Sequence, residues 1–462
     1  MLGAGPTGIG AAWRLRALGS QAPDWLVLEA SARTGGLAGT VVDDAGYRWD
    51  LGGHVIYSHA AAFDRMVEEV VPSARRARID RAGSVWHGDR FVPTPFQQHV
   101  DLLPETDRDR CLDGLATRTP AADETFDSWI LEQFGPGLAD VFFRPFNFKM
   151  WAYATDTLDR DWVTHRSGGA AANVPTIDGR DPRAGDDDGE RDVAVQARED
   201  ESFPYPEGGT GEIWERAASA VGLDRFAFGA TVVAIDPDAR TVHLASGARL
   251  TYDALISALP LDRLLAMLVE NGTRRALGTL GPRLVHSSTN VVGLGIDGAV
   301  PDALASKRWL YFPDTAIPFH RASVLSNYSP GMVPDDAHTW SLLCEVSESP
   351  ARPIDGARVV ADVVAHAQHL LDGWGGGRIE HVWSTRLEHG YPTPFLGRRE
   401  VLPDVHATLE ALDIYSRGRF GGWRYEISNQ DHAFMQGYEA AGRIACDEPE
   451  TVFVLDRAPA TA

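Results

Sequence analysis

The amino-acid sequence predicts an α/β protein of more than one domain, and three observations carry that reading. Its 462 residues exceed what one small core organises and suggest two or three domains. Near the start, Gly3-Ala4-Gly5-Pro6-Thr7-Gly8 matches G-x-G-x-x-G and opens a helical stretch over 9–18. Further along, β-rich runs bounded by turn residues recur at 231–235, 241–244 and 254–257, then at 284–296, 308–312, 321–328 and 339–346.

The glycine turn has a specific physical use. One glycine allows the tight turn, the second lets backbone approach a pyrophosphate, and the third lets the helix close on the strand. The helix N-terminus adds free N–H groups and a positive dipole end. A βαβ unit needs a strand before such a turn, yet only Met1 and Leu2 precede Gly3, so that strand is either short or begins upstream. The run 25–28 is a short buried strand, and Glu29 ends it 21 residues after Gly8. That is where an acid accepts the ribose hydroxyls of an adenine dinucleotide. Ala30 and Arg33 follow, then Gly35-Gly36-Leu37. A glycine pair just after the ribose acid resembles the second flavin fingerprint of the glutathione-reductase-like flavoproteins. The three features together favour FAD over NAD or an empty turn.

Residues 60–70 and 104–140 show apolar side chains at helical spacing, and 357–371 reads as an amphipathic helix. Between the first two, 86–96 contains Pro93 and Pro95 and is expected to be extended. The segment 178–201 is rich in Asp, Glu, Arg and Gly and reads as a solvated, mobile loop.

A formal charge of −22 opposes binding to nucleic acid or an anionic membrane surface. An anionic small substrate would need a local arginine cluster, since Lys149 and Lys307 are the only lysines. No apolar run reaches the length of a membrane span, and no basic-then-apolar leader opens the chain, so a cytoplasmic location is expected. Cys111, Cys344 and Cys446 are odd in number and form no C-x-x-C pair. Neither a disulfide framework nor a cysteine zinc site is expected, and no metal.

Several longer segments carry a resemblance. They are 50–59 (Asp-Leu-Gly-Gly-His-Val-Ile-Tyr-Ser-His), 95–97, 144–151, 309–313, 321–330, 389–394, and 418–425 through 429–432. In this order, and over nearly the whole chain, they resemble UDP-galactopyranose mutases of the eukaryotic type. The resemblance implies a discontinuous, Rossmann-like FAD-binding domain of the glutathione-reductase type (1–94, 201–262 and 380–462). It also implies an inserted helical substrate domain (95–175), the acidic loop (176–200) and a mostly antiparallel β-sheet substrate domain (263–379). It implies an isomerase acting on a nucleotide-linked sugar, with FAD active in the reduced form and NAD(P)H a possible reductant. In that reaction flavin N5 attacks the anomeric carbon, the ring opens and recloses between pyranose and furanose, and no net redox change occurs.

The resemblance also assigns residues. Arg166 and Arg321 would clamp the diphosphate, for which guanidinium forks are suited. Tyr311, Tyr328, Tyr391 and Tyr425 would line the diphosphate and sugar, with Trp309, Asn147 and Trp151 beside them. Phe143 would stack on the base, with Phe96 and Gln97 next to it. His54 would sit beside the flavin ring, where Gly53 permits close approach. Arg81, Arg419, Gly418, Asn429 and Gln430 would lie near the flavin, and Val233 is placed with the cofactor contacts alongside Gly3, Gly5, Pro6, Thr7, Gly8, Glu29, Ala30, Arg33, Gly35, Gly36, Leu37 and Gly53. Two departures put the substrate in doubt: Thr94 stands where the fungal pattern has a base-stacking tyrosine, and Asp200 or a neighbour stands where it has an asparagine. Another nucleotide, a 6-deoxy sugar, or a redox flavoenzyme of the amine-oxidase or desaturase type are the competing readings.

Overall fold

The computed structural model describes residues 1–56, 58, 60–164, 202–269, 277 and 283–455. Its first layer is a parallel sheet of short strands. Val27–Glu29 pairs with Phe226–Phe228 on one side, and Leu255–Ser257 pairs with Ile414–Ser416 on the other. Leu2 joins the two halves by parallel bridges to Leu28 and Ser257, which puts the segment before the glycine turn in the middle of the sheet.

Helices Pro6–Leu18 and Gln430–Cys446 cross this sheet in backbone contact. A Cβ on Gly10 would lie 2.1 Å from the Phe434 carbonyl oxygen, and one on Gly437 would lie 1.8 Å from that of Thr7. Side chains this small let the helices approach until their N-termini open together onto one cleft. The expected strands at 231–235 and 241–244 form, with Arg249–Thr251, a separate antiparallel ribbon.

The second layer is a seven-stranded sheet in the order Ile379–Pro392, His286–Asp297, Thr339–Glu348, Arg321–Val324, Trp309–Tyr311, Gly83–His87, Arg90–Pro93. Every pairing is antiparallel except that of Trp309–Tyr311 with Gly83–His87. Alternation along the strands divides its faces. Val324, Leu342, Cys344 and Val346 pack against helix Val359–Trp374, whose Val359, Val363, Ala367 and Leu371 recur at four-residue spacing. Arg321, Ser323 and Glu345 face the cleft. The boundaries expected at 94 and 380 are corrected here, because the 83–93 hairpin and the strand 379–392 both belong to this sheet.

The third element is helical: Glu105–Ala116, Phe126–Leu138, a π turn at Ala139–Phe143, Arg144–Trp151 and Asp161–Thr164. The stretch read as helical over 104–140 is interrupted between its two helices and kinked at Gly135, where φ is +72° before Pro136. Lys149, buried, ties this layer to the sheet by donating from Nζ to the carbonyls of Phe312 and Asp314, each at 2.6 Å. No helix among the described residues is long and apolar enough to cross a membrane.

Candidate active site

The three layers enclose a continuous cleft of about 1850 Å³, running from the glycine turn past His54 to the aromatic wall of the helical layer. That exceeds an ordinary small-molecule site, whose volume tops out near ~1,000 Å³, and leaves room for two ligands end to end.

At the first end, Gly3, Gly5, Pro6, Thr7, Glu29, Gly36 and Leu37 line the wall. The two glycine turns face each other, and a Cβ on Gly36 would lie 3.3 Å from the Gly5 Cα. Any side chain would fill the groove between the turns. Glu29 is held there by the N–H groups of Ala4 (2.7 Å) and Ser31 (2.8 Å). The N-terminus of helix Gln430–Cys446 arrives from the other side with Asn429 as its cap. Its Gln430 accepts Trp214 Nε1–H at 2.9 Å, while its own Nε2 is buried without a hydrogen-bond partner. Two helix N-termini, a carboxylate at the ribose position and a glycine-lined groove fit an adenine dinucleotide such as FAD.

His54 stands at the middle of the cleft, where burial outweighs the neighbouring carboxylates and lowers its pKa below the ordinary histidine value. Gly53, just before it, has to be glycine: a Cβ would lie 2.4 Å from Ser323 Oγ and 3.3 Å from the Arg321 guanidinium. The Gly53 N–H donates to Glu345 Oε1 at 2.9 Å.

Glu345 is also the partner of Arg321, which donates from Nε at 2.7 Å and from a terminal nitrogen at 2.8 Å. The carboxylate is almost completely buried, with 3% of its side chain exposed, while 21% of Arg321 reaches the cleft. Burial alone would raise the Glu345 pKa, but Arg321 overrides it and holds the carboxyl ionised well below its ordinary value. Around this pair stand Tyr311, Tyr328 and Tyr391, whose burial pushes all three hydroxyls above the ordinary tyrosine range. Tyr425 lies across from Tyr391, with ring centres 6.0 Å apart, and the Arg419 guanidinium lies over both rings at 5.3 and 5.2 Å. Arg419 also donates to Ser428 Oγ at 2.9 Å and to the Gly390 carbonyl at 3.3 Å. Arg81 lines the same cleft.

At the far end the wall is aromatic. Phe96 stacks on Phe142 with ring centres 4.5 Å apart, and Phe143 stacks on Phe134 at 4.3 Å. Gln97, Asn147 and Trp309 line this end too, and Asn147 is turned by its 2.8 Å bond to the Phe143 carbonyl. Thr94 is also there, its hydroxyl donating to the Gly83 carbonyl at 3.1 Å.

The structure therefore brings together most of the residues expected from the sequence, and moves some. Trp151 does not reach the cleft. It is fully buried and sets its ring edge-on 4.8 Å from Tyr425 and 5.8 Å from Tyr391, so it props the tyrosines from behind. Val233 points to solvent, 50% exposed, on the outer ribbon. Ala30 and Arg33 are exposed outside the cleft, and Arg33 reaches the Thr40 carbonyl. Gly8, Gly35 and Gly418 lie behind the wall, where a Cβ would collide with Gly3, Gly39 and Thr7 respectively. Arg166, the acidic loop and Asp200 lie outside the described residues.

Sequence reasoning missed Glu345, though a lone acid inside the apolar run Leu342-Leu343-Cys344-Glu345-Val346 was a usable signal. It also missed a cluster beside the cleft: His389 Nε2 lies 3.0 Å from both oxygens of Asp262, and the His286 ring stacks on His389 at 4.2 Å. These three come from distant segments and leave no local pattern.

A dinucleotide groove opening into a buried, arginine- and tyrosine-lined chamber defines a flavoprotein of the amine-oxidase fold. The model of the flavin-containing amine oxidoreductase family matches residues 6–444. Among solved structures, reduced UDP-galactopyranose mutase superposes with a TM-score of 0.84 at 37% identity, covering 96% of this chain and 94% of that one. The chain belongs to the UDP-galactopyranose mutase family. More distant structures share the fold alone. Cyclohexylamine oxidase from Brevibacterium oxydans IH-35A matches at 16% identity and TM-score 0.66, covering 96% of this chain and 98% of that one. A fatty acid isomerase from P. acnes, described as producing CLA, matches at 12% and 0.63, covering 96% and 97%.

Proposed function

We propose that this enzyme interconverts the pyranose and furanose forms of a nucleotide-diphosphate sugar, with UDP-galactose as the default substrate and FAD as the resident cofactor. The observation that carries the reading is the continuity of one cleft from the dinucleotide groove to the Arg321–tyrosine chamber. A sugar bound against Arg321 would lie beside whatever the His54 loop covers. When bound and reduced, the flavin supplies a nucleophile for the anomeric carbon, so the protein needs no nucleophile of its own.

The protein's task is then to bind, orient and exclude water. Arg321, held in one orientation by Glu345, offers its exposed edge to the diphosphate leaving group. Tyr311, Tyr328, Tyr391 and Tyr425 keep their protons, because burial holds them above the working pH, and so serve as hydroxyl donors. The phenylalanine wall gives a base a stacking surface. Arg166 is the proposed second arginine for the diphosphate. NAD(P)H is the proposed reductant.

Thr94 favours a second reading with the same chemistry. Its small side chain, bonded to Gly83, leaves the base position without the tyrosine of the fungal pattern, so a different base or a 6-deoxy sugar could be preferred. One assay separates the readings. Holoenzyme reduced with dithionite is given UDP-galactofuranose, and UDP-galactopyranose is followed by chromatography, with dTDP- and GDP-linked sugars in parallel. Conversion of the UDP sugar supports the default. Conversion of another nucleotide sugar alone keeps the mechanism and reassigns the substrate. Failure of all of them with fully reduced flavin, or turnover by oxidised enzyme without reductant, overturns the proposal.

A further inference from the structure

The environment behind His54 is more ordered than packing requires. Asp50 is fully buried, and its carboxylate receives three donors: the Thr40 hydroxyl at 2.6 Å, the Tyr205 hydroxyl at 2.7 Å and the Thr210 N–H at 3.2 Å. Thr210, also fully buried, donates its hydroxyl proton to the Ala38 carbonyl at 3.1 Å. His54 Nδ1 lies 3.3 Å from that same hydroxyl oxygen and 4.0 Å from Asp50 Oδ2.

A hydroxyl has one proton. Thr210 spends its own on Ala38, so toward His54 it can only accept. The Asp50 carboxylate already serves three donors and can only accept as well. Both groups facing Nδ1 are acceptors, so Nδ1 carries the imidazole proton. The other ring nitrogen, Nε2, has no hydrogen-bond partner among the described residues, and the side chain opens onto the cleft. In a neutral imidazole that nitrogen holds the lone pair. Neutrality follows from the surroundings. Burial disfavours the cation, Arg321 and Arg419 act in the same sense, and Asp50 and Glu345 oppose them without prevailing.

We propose that Thr210 and Asp50 are positioning residues that hold His54 as its Nδ1–H tautomer, so that Nε2 offers the cleft a hydrogen-bond acceptor. The partner it would take is an O–H or N–H group of the bound cofactor or sugar. That last step rests on the proposed mutase reading; the tautomer does not. Thr210 never meets the ligand and acts through the ring.

The test uses FAD-loaded holoenzyme labelled with 15N-histidine, the His54 signals being assigned by their loss in His54→Gln. Wild type is expected to show a protonated Nδ1 and a lone-pair Nε2 at neutral pH. Thr210→Ser, which keeps the hydroxyl, is expected to show the same pattern. Thr210→Val removes the acceptor and is expected to shift the ring toward the other tautomer and lower kcat by about tenfold, the scale of one buried hydrogen bond, with KM little changed. A protonated Nε2 in wild type overturns the proposal. So does a Thr210→Ser enzyme whose spectrum and kcat match those of Thr210→Val, since that would mean the side chain only fills space. If Thr210→Val fails to fold, wild type and Thr210→Ser still decide the tautomer. If wild type turns over no nucleotide sugar, the mutase reading fails while the spectrum still judges this one.

Discussion

Removing Arg321 is expected to do two separable things. Its partner Glu345 has 3% of its side chain exposed and receives two of its hydrogen bonds from the guanidinium. Arg321→Ala strands that carboxylate in the interior with the Gly53 N–H as its remaining donor. An unpaired buried charge of this kind costs about 3–5 kcal/mol. The double replacement Arg321→Met with Glu345→Leu removes both charges and fills the space, and such swaps are close to neutral. The double variant should therefore be more stable than Arg321→Ala by about 3 kcal/mol. Thermal unfolding of the FAD-loaded enzymes reads the first effect: a midpoint several degrees lower for Arg321→Ala, largely restored in the double variant. Steady-state kinetics on the nucleotide sugar read the second. Both variants should lose the diphosphate contact and raise KM by about 10- to 100-fold, the worth of a charge-assisted hydrogen bond, with flavin still bound. If Arg321→Ala unfolds at the midpoint of the double variant, Glu345 is not a buried charge that depends on it. If kcat/KM is unchanged, Arg321 is not at the diphosphate.

Three further outcomes are expected. Gly437→Ala places a carbon 1.8 Å from the Thr7 carbonyl oxygen and forces the two helices apart. It should destabilise the enzyme by about 1–3 kcal/mol and lower the ratio of flavin to protein absorbance in the purified enzyme. The Glu345 pKa is lower in the folded state than in the unfolded chain, so its stabilisation is complete above the ordinary carboxyl value of 4.5 and is lost as pH falls toward about 2; acid unfolding curves should show this loss in wild type and not in Arg321→Met with Glu345→Leu. Trp151→Ala removes the edge that braces Tyr391 and Tyr425, and should lower kcat while leaving flavin content intact.

What the sequence disclosed was what acts locally. A turn that must pass close to a pyrophosphate needs glycine in its own few positions, so Gly3, Gly5, Glu29 and Gly36 were readable from spacing. The tyrosines and Arg321 were readable because they sit in segments resembling a known family. Glu345 was marked only as a lone acid in an apolar run, because its partners are Arg321 on the neighbouring strand and Gly53 on a distant loop, and pairing across a sheet does not show which residue an acid will meet. Trp151 was misassigned for a related reason: facing the cleft and facing the backs of residues that line it look alike in one dimension. Val233 shows the same limit, since strand alternation sets two faces apart without naming which is inside. The domain boundary at 94 failed because the 83–93 hairpin, early in the chain, completes a sheet whose other strands lie beyond residue 285.

The backbone contact between Thr7 and Gly437 also bears on the order of events at the ribosome. The wall behind the first glycine turn is supplied by the distant helix Gln430–Cys446, and Leu2 gains one of its two flanking strands only after residue 257 has been synthesised. The nascent chain carries the recognisable half of its nucleotide groove long before it can close it. Contacts of such long sequence separation are slow to form and are expected last. Cofactor capture is thereby placed after helix Gln430–Cys446 has been made and docked, and the flavin becomes the ligand that seals the groove rather than a template around which it grows.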